Sequence, residues 1–202
     1  MPPPATSSQR AGAQRYATVA IVLHWVMALA IVCQIILAGR MGGKPTPESF
    51  AVTQLHKSIG ITILLLSLAR LAWRLISPPP KLAADLPRWQ RYAAHTVHVL
   101  LYVVMIGSPL TGWALSSASR LIHVYPITLY GVVPWPAIGP LTTLPHDQMK
   151  QVHGAFVTTH ELLAKLAYLL IVLHVGAALM HQFIQRDGTL ARMVPFLKAR
   201  AA

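Results

Sequence analysis

The sequence predicts an all-α integral membrane protein: a bundle of four membrane-spanning helices with both termini in the cytoplasm. Composition, four long apolar runs and the distribution of basic residues predict this fold class. Of the 202 residues, 54% are hydrophobic and only 11% are charged, and the mean hydropathy is +0.53. Soluble domains carry about 25% charged residues, so the composition favours a chain that lies largely in lipid.

Each apolar run is long enough to cross a bilayer, which takes about 20 residues of helix. The predicted helices cover residues of about 16–38, 52–76, 92–115 and 155–184. The first run is too long for the apolar part of a signal peptide, so we interpret it as a helix of one domain spanning 16–184. Residues 1–15, rich in Pro, Ser, Ala and Arg, are predicted to be disordered. Residues 185–202 are predicted to form a polar cytoplasmic tail.

The longest connection, residues 116–150, is moderately apolar but too rich in proline to span a membrane. We expect turns or short helices that lie on the membrane surface. Tyr130 and Trp135 lie among its prolines. They are typical of the aromatic belt at a membrane interface. A second interpretation is that they lie over a bound redox partner.

Basic residues are unevenly distributed between the two sides of the predicted bundle. The formal net charge is +12, which in a soluble chain would suggest nucleic-acid binding. Here the basic residues flank the apolar runs, and eleven of the 17 Lys and Arg residues fall on the side of both termini. An excess of Lys and Arg marks the cytoplasmic side. The pattern therefore predicts cytoplasmic termini and no nucleic-acid partner.

Four of the ten histidines pair by their depth in the membrane. His160 and His174 are fourteen residues apart on the fourth helix, which places them on one face and about 21 Å apart. His24, on the first helix, lies at the height of His174, and His56, on the second, at the height of His160. Two facing imidazoles at one height suit a six-coordinate haem b. A structural polar network, or a zinc or copper site, is the alternative, although the separation of the pairs disfavours a compact zinc site.

Other polar side chains lie near the predicted pairs. His95 and His98, at the start of the third helix, are expected to pack or to hydrogen-bond a haem propionate. Lys57 and Lys165 lie near His56 and His160, on the side opposite the termini. Their charged ends would pair with haem propionates or extend toward water. Gly60, one turn after His56, would leave room for a flat ring.

Several short motifs, in this order and spacing, resemble the bacterial cytochrome b561 family over residues of about 15–195. Each motif opens one of the predicted helices or continues it. They are His24-Trp25, His56-Lys57-x-x-Gly60, Ala94-His95-x-x-His98-x-x-Leu101-Tyr102, and His160-Glu161-x-x-Ala164-x-x-x-Tyr168 with His174.

The resemblance implies a multi-pass protein of the bacterial inner membrane that binds two haems b and exchanges electrons with quinone. Its axial iron ligands would be His24, His56, His160 and His174, in the pairs His24 with His174 and His56 with His160. A member of that family is described as a superoxide:ubiquinone oxidoreductase, so the resemblance also implies an oxidoreductase that takes electrons from superoxide at the periplasmic face.

Two other functions stay open from the sequence. The first is a haem b anchor subunit that passes electrons between quinone and a partner dehydrogenase or hydrogenase, since it would use the same haems. The second, of a different class, is a small transporter or sensor whose histidines carry a metal ion or protons.

Overall fold

Four long helices form the body of the protein in a computed structural model that describes residues 15–42, 46–80, 86–194 and 196–197. The predicted disordered segment, 1–15, lies almost entirely outside the described residues, as does the end of the predicted tail. The long helices are α1 (Thr18–Ala38), α2 (Pro47–Ile76), α3 (Arg88–Ser117) and α5 (His146–Met180). All four are long and apolar enough to cross a membrane, as the fold class predicts.

Three of these helices begin earlier than the apolar pattern indicates, because local signals set their first turns. α2 begins at Pro47 after a capping box in which Thr46 and Ser49 bond each other's backbone N–H groups, and a proline suits the first helical position. α3 and α5 follow directly after Pro87 and Pro145. With 35 residues, α5 is about 52 Å long, so one end extends beyond the roughly 30 Å hydrocarbon core.

Three of the six possible pairs of long helices are extensively packed. In the described part of the chain, α3 packs extensively against α5, and α2 packs against both α1 and α3; the pairs α1–α5 and α2–α5 are not extensively packed. The small core includes Met27, Ile61, Leu64, Val104 and Leu170. Most other large apolar side chains of the helices face outward, as expected where lipid is the solvent.

The connection between α3 and α5 folds over one side of the bundle, which we call the far side. It contains a 3₁₀ turn (Arg120–His123), a hairpin of β1 (Thr128–Leu129) and β2 (Val133–Pro134), and the short helix α4 (Gly139–Thr142). The strands are antiparallel, with Leu129 opposite Val133.

Tyr130, at the tip of this hairpin, fastens it to α2. Its backbone N–H donates to the buried Ser58 hydroxyl at 2.9 Å, and its own hydroxyl lies 2.7 Å from that of Thr62. Its φ of +53° is uncommon outside glycine, and the two bonds to α2 hold it there. Trp135 lies edge-to-face against Trp113 at 5.6 Å. The aromatic residues of the connection thus fix it to the helices.

The segment after α5 covers the opposite side, where α1 begins and α5 ends, and which we call the terminal side. A π-helical turn (His181–Gln185) ends the fourth span. The chain then turns back, so that the Trp25 indole donates to the Met193 carbonyl at 2.8 Å. The contact between His181 and Asp187 stabilises the turn.

Candidate functional site: two histidine pairs

The four histidines predicted to pair by depth form two facing pairs, and each pair joins two helices that are not extensively packed against each other. The rings of His24 on α1 and His174 on α5 have centroids 6.0 Å apart, with an angle of 67° between their planes. The rings of His56 on α2 and His160 on α5 have centroids 6.2 Å apart, at 75°. All four side chains are half-buried. The first pair lies toward the terminal side and the second toward the far side.

These separations suit one metal atom between two imidazoles. A metal–nitrogen bond of about 2.0 Å on each side places two trans imidazole centres about 6.3 Å apart. The helices that carry the rings, α1 with α5 and α2 with α5, are among the pairs that lack extensive packing in the described residues. The residues present therefore fit a flat macrocycle with one axial histidine on each face.

The arrangement does not suit a compact metal site. Among the described residues, no group of three His, Cys, Asp or Glu side chains is placed to hold a metal ion. Structural zinc sites need about four such ligands at tetrahedral positions. The geometry thus favours two separate two-histidine sites over the zinc or copper alternative.

His98, on α3, joins the terminal-side pair, whereas its neighbour His95 does not. The centroid of the His98 ring is 5.4 Å from that of His174, which is closer than two axial ligands of one metal would lie. His95 is exposed. The structure therefore places His98 beside the candidate site and His95 on the outer surface.

His160 has the most fully specified surroundings of the four. Its Nδ1 lies 2.9 Å from the Ser108 carbonyl oxygen, to which it donates, and 3.2 Å from the Thr111 hydroxyl. The donated proton on Nδ1 leaves Nε2 as the nitrogen with a free lone pair, the usual arrangement of a metal-binding histidine. Gly112 makes the approach possible, since a Cβ there would lie 3.2 Å from His160 Cε1.

His56 lies against the side chain of Gln34 from α1. The Gln34 amide donates to the His56 carbonyl at 3.1 Å. Gly60 provides space for this amide, because a Cβ at Gly60 would lie 3.2 Å from the Gln34 Nε2 atom. The glycine expected to accommodate a flat ring therefore accommodates a glutamine. His56 Nδ1 is buried and has no partner among the described residues.

His24 lies beside a positive charge. Arg70, one of the half-buried residues of α2, approaches His24 Nδ1 to 3.1 Å. A guanidinium group only donates, so this imidazole nitrogen accepts the bond and Nε2 carries the ring proton. Iron binding through Nε2 would require the opposite tautomer, with the proton on Nδ1, and Arg70 would then act on His24 through its charge instead of this bond. Arg70 also contacts Tyr102 on α3. Coulomb interactions are strong in such surroundings, so Arg70 influences any charge held between His24 and His174.

The two lysines near the far-side pair differ in exposure. Lys57 is half-buried next to His56, whereas Lys165 is exposed on α5. Lys165 thus suits the interpretation in which its charged end extends toward water, and Lys57 stays close to the pair.

Sequence reasoning missed Arg70, Gln34, Ser108 and Gly112 as parts of the site. Gly112 had a signal, since a glycine inside an apolar helix often marks a close approach of another element. The others had none, because their positions facing the histidines depend on how each helix is rotated about its axis.

Comparisons with known proteins show which family the sequence matches. Residues 15–196 match the model of a family described as prokaryotic cytochrome b561. Two Escherichia coli (strain K12) proteins, cytochrome b561 homolog 1 and homolog 2, are each 30% identical over 90% of this chain, and the match covers 97% and 92% of their lengths. A Yersinia pestis protein named probable superoxide oxidase CybB is 27% identical over 90% of this chain and 97% of its own.

Proposed function

Because this chain belongs to the prokaryotic cytochrome b561 family, it is a haem b protein of electron transport in the bacterial inner membrane, and we propose that it binds two haems. One would lie between His24 and His174, and the other between His56 and His160. The observation that carries this proposal is the spacing of the two ring pairs, 6.0 and 6.2 Å, close to the roughly 6.3 Å that a bis-imidazole site requires.

The residues of the two sites would hold the haems at different depths. Haem iron supplies reversible one-electron chemistry when it is bound. His160 and His174, about 21 Å apart along α5, set the separation of the two centres. The apolar outer faces of the helices keep water away from the region between them, and His160 keeps Nε2 available by donating its Nδ1 proton to Ser108.

We propose that both termini are cytoplasmic, so that the far-side pair lies near the periplasm. The excess of Lys and Arg on the terminal side supports this orientation. On the far side, Arg40, Arg120 and Lys150 are exposed and Lys57 is half-buried. This positive charge would attract a small anionic electron donor. Superoxide is such a donor, and it is consistent with the printed name of the Yersinia pestis relative.

Quinone is the proposed second redox partner. It is soluble in the lipid that surrounds the helices, and a haem at either depth is within a few side chains of that lipid. The short connections of the described chain offer little surface for a large partner subunit, so we favour direct reaction with quinone over a role as an anchor for a dehydrogenase.

Haem content and spectra of histidine variants test the ligand assignment. The purified protein should show a b-type reduced-minus-oxidised spectrum and two haems per chain. His160→Ala should leave about one haem, and so should His24→Ala. His123→Ala is the matched control, because His123 is exposed on the 3₁₀ turn, and it should keep two. Retention of both haems in His160→Ala would exclude the assignment.

The reaction with donors tests the function separately from the ligands. In vesicles with the periplasmic face outward, superoxide generated outside should reduce the haems, and added ubiquinone should reoxidise them. Vesicles of the opposite orientation should respond weakly to external superoxide. Reduction by quinol but never by superoxide would leave the di-haem proposal standing and remove superoxide as the donor.

A further inference from the structure

A second polar site lies on the terminal side, between α1, α2, α3 and the returning tail. Its walls include Tyr16 at the start of α1, Tyr102 on α3, and Arg70, Trp73 and Arg74 on α2. Pro78, Pro79 and Pro80, directly after α2, close one edge. We call these residues the arginine pocket. Its polar groups come from three elements that are distant in sequence, so the fold assembles the pocket.

The arginine pocket has cations without a matching anion. No carboxylate lines it, and the carboxylate of Asp187, elsewhere on this side, contacts His181. Arg70 and Arg74, one helical turn apart, are both half-buried. Arg70 has acceptors in His24 and Tyr102, but neither group carries the negative charge that would balance two partly desolvated cations at the edge of an apolar bundle.

Trp73 adds a hydrogen-bond donor that lacks an acceptor. Its Nε1 atom is buried and has no partner in the described part of the chain, although it belongs to the wall of the pocket. A buried N–H without an acceptor destabilises the protein. Indole and guanidinium groups donate only, so a ligand that satisfies them must accept hydrogen bonds and carry negative charge. A phosphate group has this chemistry.

The position of the pocket favours a lipid headgroup over a soluble phosphate as the ligand. The pocket includes Ser77 and the prolines just beyond the end of α2, so it lies at the border of the membrane, at the depth of lipid headgroups. Next to Arg74, Leu75 and Ile76 are 77% and 78% exposed and offer an apolar surface to acyl chains. Basic pockets between spanning helices are suited to anionic lipid headgroups.

We propose that the arginine pocket binds the phosphate of an anionic phospholipid, with Arg74 and Trp73 as its main contacts. Arg70 is shared with the terminal-side histidine pair, because it also contacts His24. Arg74 lies one turn further toward the membrane border. A bound lipid would supply the missing counter-charge and fix α2 to the tail through the pocket wall that Met193 contributes.

Binding of defined lipids to the haem-loaded protein in detergent, followed by native mass spectrometry, tests this site. Phosphatidylglycerol should bind about tenfold more tightly than phosphatidylcholine with the same acyl chains. Arg74→Gln should lose most of that preference, and Trp73→Phe, which removes only the indole N–H, should lose part of it. Arg88→Gln is the matched control, because Arg88 is exposed at the same membrane border and does not line the pocket. It should keep the preference.

Each remaining outcome overturns the proposal. Equal binding of the two lipids, or an equal loss in Arg88→Gln and Arg74→Gln, would indicate diffuse surface charge. Displacement of phosphatidylglycerol by millimolar inorganic phosphate would indicate a site for soluble anions. A changed haem spectrum in Arg74→Gln with unchanged lipid binding would assign the cation to the haem. Should Arg74→Gln fail to fold, judged by haem content, Trp73→Phe decides: an unchanged preference there contradicts the proposal.

Discussion

The two histidine pairs share one geometry but differ in what surrounds them. On the far side, neutral groups hold the rings: the Ser108 carbonyl and Thr111 hydroxyl at His160, and the Gln34 amide at the His56 backbone. On the terminal side, Arg70 donates to His24 and a third imidazole, His98, lies against His174. The groups that bond the far-side histidines are therefore neutral, with Lys57 nearby, whereas a cation bonds a ring of the terminal-side pair directly.

This difference predicts a direction for electron transfer. Oxidised haem carries one more positive charge than reduced haem, so a nearby cation favours the reduced form and raises the potential. A hydrogen bond from Nδ1 to a carbonyl makes the ligand more basic, which favours the oxidised form. We therefore expect the terminal-side haem to have the higher potential, so that electrons entering at the far side move toward the termini.

The largest expected effect comes from crowding the far-side pair alone. Gly112→Val should push the His160 ring away from its position against α3, because even a Cβ at Gly112 would lie 3.2 Å from the ring and Ser108 holds the ring in place. Haem content should fall from two toward one per chain, and the remaining haem should be the terminal-side one.

Gly107→Val is the control on the same helix. A Cβ there meets only the flexible end of Leu163, at 3.4 Å, so both haems should remain. Two haems in Gly112→Val, or an equal loss in Gly107→Val, would show that contact between α3 and His160 does not position the ligand.

The next effect concerns Arg70, whose charge distinguishes the terminal-side pair from the far-side pair. Arg70→Gln keeps a donor near His24 but removes the cation, so the potential of the terminal-side haem should fall by on the order of 50–100 mV, the value for a unit charge about 8 Å away at an effective dielectric constant of 20. Redox titration measures it. Arg88→Gln, exposed on the same side, should change little. A rise in potential, or equal shifts of both haems, would disprove the charge argument.

A smaller effect is expected from the hydroxyl beside His160. Thr111 donates to the Ser108 carbonyl at 2.8 Å, the same oxygen that His160 bonds. Thr111→Val removes that competing donor and should strengthen the hydrogen bond from His160. The potential of the far-side haem should then fall by about 20 mV, which corresponds to part of the free energy of one hydrogen bond, about 1 kcal/mol. The terminal-side potential should not move; a shift there instead would mean that the two sites are not independent.

The smallest effect concerns the turn that closes the terminal side. Burial of Asp187 acts to raise its pKa, but bonds from Thr189 and the contact with His181 outweigh it, so the pKa lies below its ordinary value of 3.8. A depressed carboxyl pKa stabilises the fold above that ordinary value, and the contribution is lost as the pH falls through the lower, folded-state pKa.

The group is largely exposed, so solvent screening limits the contribution to well under about 1 kcal/mol. Asp187→Asn should therefore lower thermal stability slightly at pH 7, and the difference from the parent should disappear as the pH falls through the lowered pKa of Asp187. An unchanged melting temperature at pH 7 would show that the turn contributes nothing to stability.

The pairing of the histidines, which follows from the period of the α-helix and the order of the spans, was predictable from the sequence. The contacts that depend on how each helix is rotated about its axis were not. The fourteen-residue spacing of His160 and His174 fixes their shared face, and the order of the spans fixes which histidine faces which. The positions of Arg70 and Gln34 depend on the rotation of α2 and α1. An apolar pattern defines that rotation poorly when most of each helix faces lipid, because lipid and core select the same residues.

Local signals explain the remaining differences in the fold. Thr46 and Ser49 specify the start of α2 through a capping box. This pattern is visible in the sequence, but a prediction based on apolar runs alone does not use it. The hairpin tip at Tyr130 could not be predicted in the same way. Its positive φ depends on bonds to Ser58 and Thr62, which are about 70 residues away in sequence.

A redox titration of the parent protein beside His160→Ala and His24→Ala tests the central claim most directly. The parent should show two b-type transitions, His160→Ala should lose the lower one, and His24→Ala should lose the higher one. The claim would be contradicted by a single haem in the parent protein, by loss of the same transition in both variants, or by loss of the higher transition in His160→Ala.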